Sequence, residues 1–177
     1  LTTVEGFDNL KLSTVSNHIF GDCEALSSIK IPDTVTTIEK GAFSGCKSLT
    51  TIAIPEKVTS IEGNVFNHCE NLTSVEGFDK LNISSIGSYT FCGCKNLSSI
   101  TLPNTVKKID TYAFWQCYAL STITIPENVT SIGFHAFDTC SGLATVVLPK
   151  NVPSIGEGAF YGNHENLKIQ YPYSKND

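Results

Sequence analysis

An α/β repeat solenoid with one coil per 23 to 25 residues is the fold class that this 177-residue sequence predicts, and three observations carry the prediction. Seven phenylalanines, Phe20, Phe43, Phe66, Phe91, Phe114, Phe137 and Phe160, recur every 23 residues, with one spacing of 25. Leucines open the units at a constant offset, at Leu1, Leu26, Leu49, Leu72, Leu97, Leu120 and Leu143, with a partial eighth at Leu167. Six of the seven cysteines, Cys23, Cys46, Cys69, Cys94, Cys117 and Cys140, fall three residues after a Phe. A unit this short cannot bury its own apolar side, so it becomes stable only by stacking on its neighbours.

The second coil shows how each element follows from its residues. Its apolar positions are Leu26, Ile29, Ile31, Val35, Ile38, Ala42, Phe43 and Cys46, closing on Leu49. Ile29 and Ile31 alternate with Lys30, the pattern of a half-buried strand, and Pro32 ends it because proline has no N–H for a ladder. Successive strands of this kind form a parallel sheet along one face. The Thr-rich stretch 35–38 has β character and predicts a short bridge. Residues 39–46 predict a helical turn or a single 3₁₀ turn, too short to stand alone. Two coils are longer: residues 1–8 read LTTVEGFD and residues 72–79 read LTSVEGFD, each with a Gly-Phe-Asp turn in place of Ile-Pro. The order long, short, short then repeats, as expected from duplication of a three-coil block. The Gly77 turn is expected to be a surface spacer, although longer solenoid loops also serve as binding loops. No stretch resembles a linker, so residues 1–177 are expected to form a single elongated domain.

Composition excludes several functions. Net charge is −5, with 12 lysines and no arginine, which disfavours nucleic acid, since phosphate neutralisation needs a basic stripe. No apolar run approaches the roughly 18 residues needed to cross a bilayer, so no direct membrane insertion is expected. The chain opens in mid-repeat without Met, as expected of a piece of a longer protein. The repeated cysteines predict an inward column of buried thiols acting as small apolar fillers, with Cys92 outside it. Cys92-Gly-Cys94 lacks a second pair at zinc-like spacing, so no metal or cofactor is expected. Glu39, Glu62 and Asp110 follow the inward Ile as a solvated repeat position would, and the four histidines form no catalytic pattern. A side-chain-filled core offers no natural pocket, and the chain is not expected to be an enzyme. The sequons at Asn71, Asn82, Asn96 and Asn128 arise from an Asn-, Ser- and Thr-rich repeat.

The phrase Ile123-Thr-Ile-Pro-Glu-Asn-Val-Thr-Ser-Ile132, followed by Ala136-Phe137 and Cys140-Ser-Gly-Leu143, resembles the BspA-like class of leucine-rich repeat over essentially the whole chain. That resemblance implies a leucine-rich repeat right-handed superhelix. It also implies a cell-surface or secreted protein, engaged in adhesion to host or neighbouring-cell proteins.

The outward positions are where a partner would bind. The position before the first inward residue of each strand reads Thr3, Ser28, Thr51, Ser74, Ser99, Thr122 and Thr145. Such a hydroxyl row serves β propensity and rung-to-rung bonding, or docks a partner's backbone or a glycan. Two residues before each Phe stand His18, Gly41, Asn64, Tyr89, Tyr112, His135 and Gly158. Tyr89, Tyr112 and His135 are expected to stack along coils four to six, joined by Trp115, Tyr118 and Phe134, as an interface core or sugar-stacking platform. The competing expectation, slightly the stronger, is that the rings merely cover the turn of the next coil. The function expected is a non-catalytic protein-binding or adhesion segment, monomeric, whose partner is a protein or a glycan. An intracellular scaffold and a targeting module joined to an enzyme are the alternatives.

Overall fold

A computed structural model describes residues 1–151 and 153–171. The chain winds into a parallel β-solenoid of about seven coils, about 23 residues each, and every coil has three legs. Twelve strands of two or three residues form the first two legs. In chain order they are β1 (Thr14–Val15), β2 (Thr37–Ile38), β3 (Thr51–Ala53), β4 (Ser60–Ile61), β5 (Ser74–Glu76) and β6 (Ser85–Ile86). There follow β7 (Lys108–Ile109), β8 (Thr122–Thr124), β9 (Ser131–Ile132), β10 (Thr145–Val147), β11 (Ser154–Ile155) and β12 (Lys168–Gln170). The stretch 35–38 thus contributes β2, a member of a sheet and more than a bridge.

All pairings are parallel and in register, so like stands on like: Val146 lies opposite both Ile123 and Ile169. Neither sheet is continuous. On the first leg β3 pairs β5, and β8, β10 and β12 form a separate ladder, with an isolated bridge between Thr3 and Ser28. On the second leg β1, β2 and β4 form one ladder and β6, β7, β9 and β11 another. The second-leg break falls between coils three and four, where the longer coil begins.

The third leg corrects the α/β expectation. Among the described residues there is no α-helix, only the 3₁₀ turns Phe7–Asn9 and Phe78–Lys80. Around each Phe the backbone is left-handed two residues before and two residues after, with φ between 49° and 74° in all seven coils. A left-handed residue every fourth position cannot continue a helix. It turns alternate N–H groups along the solenoid axis. In coil one His18, Phe20 and Asp22 donate to the carbonyls of Lys40, Ala42 and Ser44 in coil two. The same three bonds, 2.7–3.2 Å long, join every pair of consecutive coils as far as the bonds from His135, Phe137 and Thr139. The intervening N–H groups close local turns, as from Gly21 to His18.

Behind this leg runs the core. The seven repeat phenylalanines form a single file with centroids 5.0–5.9 Å apart and planes within 17° of parallel. Cys46, Cys69, Cys94, Cys117 and Cys140 are fully buried beside them, while Cys23 in the open first coil is half-buried. All seven thiols are free. They do more than fill space, because each buried thiol of the column donates to the carbonyl of the Phe one coil back, as from Cys69 to Phe43 at 3.1 Å. The Gly-Phe-Asp turns are not surface spacers either. Phe7 and Phe78 turn inward and meet Phe20 and Phe91 edge-on, at 5.2 and 5.3 Å. No helix among the described residues is long and apolar enough to cross a membrane.

Candidate interaction surface

Two small groups of residues control how closely coils approach on the third leg. Glu39 and Glu62 accept the main-chain N–H of Asn17 and Lys40 in the preceding coil, at 2.8 and 2.9 Å. They bind backbone and are not merely solvated, as the sequence had implied. In coils four, six and seven the same position is Gly87, Gly133 and Gly156, and there the two backbones touch directly: a Cβ on Gly133 would lie 2.6 Å from the Thr111 nitrogen.

On the outside of this leg the structure places most of the sequence-predicted site residues in one connected group. Tyr89 stacks on Tyr112 at 5.1 Å and Tyr112 on His135 at 5.3 Å, with planes within 20°. Trp115 and Phe134 both meet Tyr112 edge-on at 5.6 Å, and Phe134 also meets His135. The column ends on Gly158, whose missing side chain leaves room for the His135 ring. Tyr89, Tyr112 and His135 are half-buried, whereas Phe134 is 40% exposed.

Tyr118 lies apart. It stands four residues after Phe114, in the column where Glu24 pairs with Lys47 and Glu70 with Lys95, and no ring contact among the described residues joins it to the group. Two members went unnoticed in the sequence. Asp138, a buried carboxylate, has Oδ2 2.6 Å from His135 Nδ1 and accepts a hydrogen bond from the Thr139 hydroxyl. Tyr161, 70% exposed, meets His135 edge-on at 6.5 Å. Both occupy the repeat position of Trp115, one after the Phe, so reading that column would have found them.

Tyr89 and Tyr112 hold φ of 59° and 55°, a conformation that costs a residue with a Cβ about 1–2 kcal/mol. Glycine at the same position in coils two and seven escapes that cost. The tyrosines stand against local backbone preference, and ring stacking of about 0.5–1.5 kcal/mol per pair offsets much of the cost.

The first-leg face is not closed, as had been expected of a filled core. A cleft of about 270 Å³ opens beside the Gly77 turn, lined by Lys30, Glu56, Glu76 and Lys80 among others. Another of about 410 Å³ lies between coils five and six, lined by Ser99, Thr101, Asn104, Thr122 and Thr124 over Ile100 and Pro126. Among the described residues no group of His, Cys, Asp and Glu could hold a metal ion.

A stack of parallel coils around one continuous apolar core, with its varied chemistry on the outer skin, defines a repeat solenoid of the leucine-rich class. The model of the BspA type leucine rich repeat region, six copies long, matches residues 7–85 and 77–176, and the chain belongs to that family. No curated protein matches the chain. Among solved structures it is similar to a leucine-rich repeat protein from Bacteroides ovatus, with 30% identity over 93% of this chain and 47% of that one, TM-score 0.72. A leucine-rich repeat protein from Eubacterium ventriosum shares 28% identity over 94% of this chain and 43% of its own length, TM-score 0.69. A leucine rich cell surface protein from Faecalibacterium prausnitzii shares 25% identity over 97% and 64%, TM-score 0.56. The chain spans about half the length of the first of these solved proteins.

Proposed function

We propose that the chain is a non-catalytic protein-interaction segment of a cell-surface or secreted adhesion protein, a right-handed solenoid acting as one monomeric domain. Its partner would be a host or neighbouring-cell protein, with a glycan as the other candidate class. The observation that carries this reading is the ring group on coils four to seven. Tyr112, Trp115, Phe134, His135 and Tyr161 form an outward aromatic surface anchored on strained backbone, the composition of an interface centre. The description of the Faecalibacterium relative as a cell surface protein supports the location. Tyr89 belongs to the same surface; Tyr118, apart from the rings, is proposed as a rim contact.

The test is capture of arrayed extracellular-matrix proteins and glycans by the isolated chain, compared with Tyr112→Gly/Trp115→Ala. Glycine at 112 removes the ring while relieving the left-handed strain, so the thermal midpoint should move by only a few degrees. Capture should fall at least tenfold. Undiminished capture would remove the patch from the reading, and a collapse of the midpoint would assign the rings to packing.

A further inference from the structure

Trp115, Asp138 and Tyr161 occupy one repeat position, the residue after each Phe, in coils five, six and seven. Main-chain bonds hold the three in register: Gln116 donates to the Asp138 carbonyl at 3.0 Å and Thr139 to the Tyr161 carbonyl at 2.7 Å. At about 4.8 Å per rung the two aromatic residues are rooted roughly 10 Å apart, with only the short Asp138 side chain between them in the column. In coils one to four the same position is Gly21, Ser44, Asn67 and Cys92, so this column holds a carboxylate between two rings only here. Among the described residues Trp115 meets one ring, Tyr112, and Tyr161 meets one, His135, both edge-on. Each therefore keeps at least one face clear of other rings. Asp138 is sunken between them at 7% exposure, with one oxygen bonded to His135 and the other to Thr139. An ionised carboxylate offers about four acceptor sites, so about two remain for a donor.

Charge around the column leans to one sign. The third legs of coils five to seven, residues 109–119, 132–142 and 155–166, carry Asp110, Asp138, Glu157 and Glu165 and no lysine, with His135 and His164 the only basic groups. Those of coils two and four carry Lys40, Lys47 and Lys95. Ring faces attract a cation through their quadrupoles, and a carboxylate shielded from water strengthens that attraction. We infer that this column receives an arginine side chain from a basic segment of the partner protein, its guanidinium laid against Trp115 and Tyr161 and bonded to Asp138. Arginine is favoured over lysine because its planar, weakly hydrated group stacks on rings while donating to a carboxylate. A neutral glycan would use the rings but leave the acidic surroundings without a counterpart. The inference rests on the proposed function, in which the ring group meets a partner, and names the chemistry of that contact.

Trp115 is the only tryptophan of the chain, so its fluorescence reports on this column directly. The experiment titrates the whole chain with acetylated, amidated octapeptides of alternating Gly and Arg, Gly and Lys, or Gly and Gln. The arginine peptide should change the emission saturably, the lysine peptide should bind at least threefold more weakly, and the glutamine peptide should do nothing. Tyr161→Ala, which removes an exposed ring, and Asp138→Asn, which keeps the side-chain shape, should each weaken arginine-peptide binding at least fivefold. Glu5→Gln, an exposed carboxylate on the first leg of coil one, should bind like the wild type. If Asp138→Asn lowers the thermal midpoint by more than a few degrees, Tyr161→Ala decides alone. No response to the arginine peptide, an equal response to the glutamine peptide, or equal losses in Glu5→Gln and Asp138→Asn would overturn the inference. So would a saturable response to a neutral oligosaccharide such as cellotriose with none to the arginine peptide. If arrayed proteins are captured through Tyr112 and Trp115, yet Asp138→Asn captures them undiminished and the arginine peptide does not compete, the inference falls while the ring surface stands.

Discussion

Cys69 sits between Cys46 and Cys94 in the interior column and donates a hydrogen bond to the Phe43 carbonyl. Burial pushes its thiol, and those of Cys94 and Cys117, well above the ordinary value of 9.0. Burial likewise lifts Cys46 to about 12 and Cys92 to about 11. A thiolate there would lose its hydration and present a lone pair to a carbonyl oxygen, so the protonated form is the one the fold requires. The unfolded chain ionises these thiols near pH 9 and the folded chain does not. Their contribution is therefore whole below pH 9 and drains away between about pH 9 and 12, at about 1.4 kcal/mol per thiol per pH unit. Urea midpoints measured from pH 7 to 11 should fall steeply above 9. Cys69→Ala should cost about 1–3 kcal/mol at pH 7 yet show a shallower alkaline fall, by about one proton. Identical slopes would mean the thiols are not held protonated. The inward column was legible from residue identity, since one small residue recurs at one offset. Its hydrogen bond was not, because the acceptor is a carbonyl whose direction depends on the turn.

Within the third leg, tolerance of added bulk depends on what a new methyl would strike. A Cβ on Gly133 would press on the Thr111 nitrogen and the Asp110 carbonyl carbon, both backbone, so Gly133→Ala should lose about 1–3 kcal/mol or more with no side chain able to yield. A Cβ on Gly41 would strike the His18 ring, which can swing away, and would add the left-handed cost of about 1–2 kcal/mol. Combining Gly41→Ala with His18→Ala should therefore recover the steric part, and no recovery in urea titrations would place the clash elsewhere. Phe78 tests the longer coil: as a core ring edge-on to Phe91, its replacement by Ala should cost about 3–5 kcal/mol, whereas a surface spacer would lose nothing measurable. Glycine or Asn beside Phe43, Phe66, Phe91 and Phe160 was a readable hint of left-handed turns, yet Tyr89, Tyr112, Gln116 and His135 at the same positions concealed it. The inward turn of Phe78 was hidden because a Gly-Phe-Asp sequence reads as an exposed loop until the neighbouring ring column is in place.

At the scale of the whole rod, it matters which leg transmits cohesion from end to end. The first strand leg was plain in the sequence from its alternating Ile and Val residues and the second was read only as a short bridge; both are interrupted. First-leg pairing is missing at coils two to three, four to five and five to six, and second-leg pairing at coils three to four. These gaps were not legible, since residues 98–103 (SSITLP) carry the same pattern as 121–126 (STITIP) yet only the latter pair. The third leg has no regular strand but crosses every boundary with three main-chain bonds, backed by the phenylalanine file and the thiol bonds. In a one-dimensional stack each interface must hold separately, because coils touch only their neighbours. The unbroken leg is then the cooperative spine, and the strands are attachments whose local loss the rod survives. Amide exchange should accordingly be slowest at Phe43, Phe66, Phe91 and Phe114, opening only with global unfolding, and faster by orders of magnitude along residues 99–102. Phe114→Ala, in the interior of the spine, should cost about 3–5 kcal/mol and split a single urea transition into two as the parts on either side uncouple. A strand-leg substitution of similar size, Ile123→Ala, should cost about 2–5 kcal/mol while leaving one transition. If the strand amides of β8 and β10 outlast those of the phenylalanines, or if Ile123→Ala divides the transition and Phe114→Ala does not, then the sheets hold the coils together and the turn leg merely follows them.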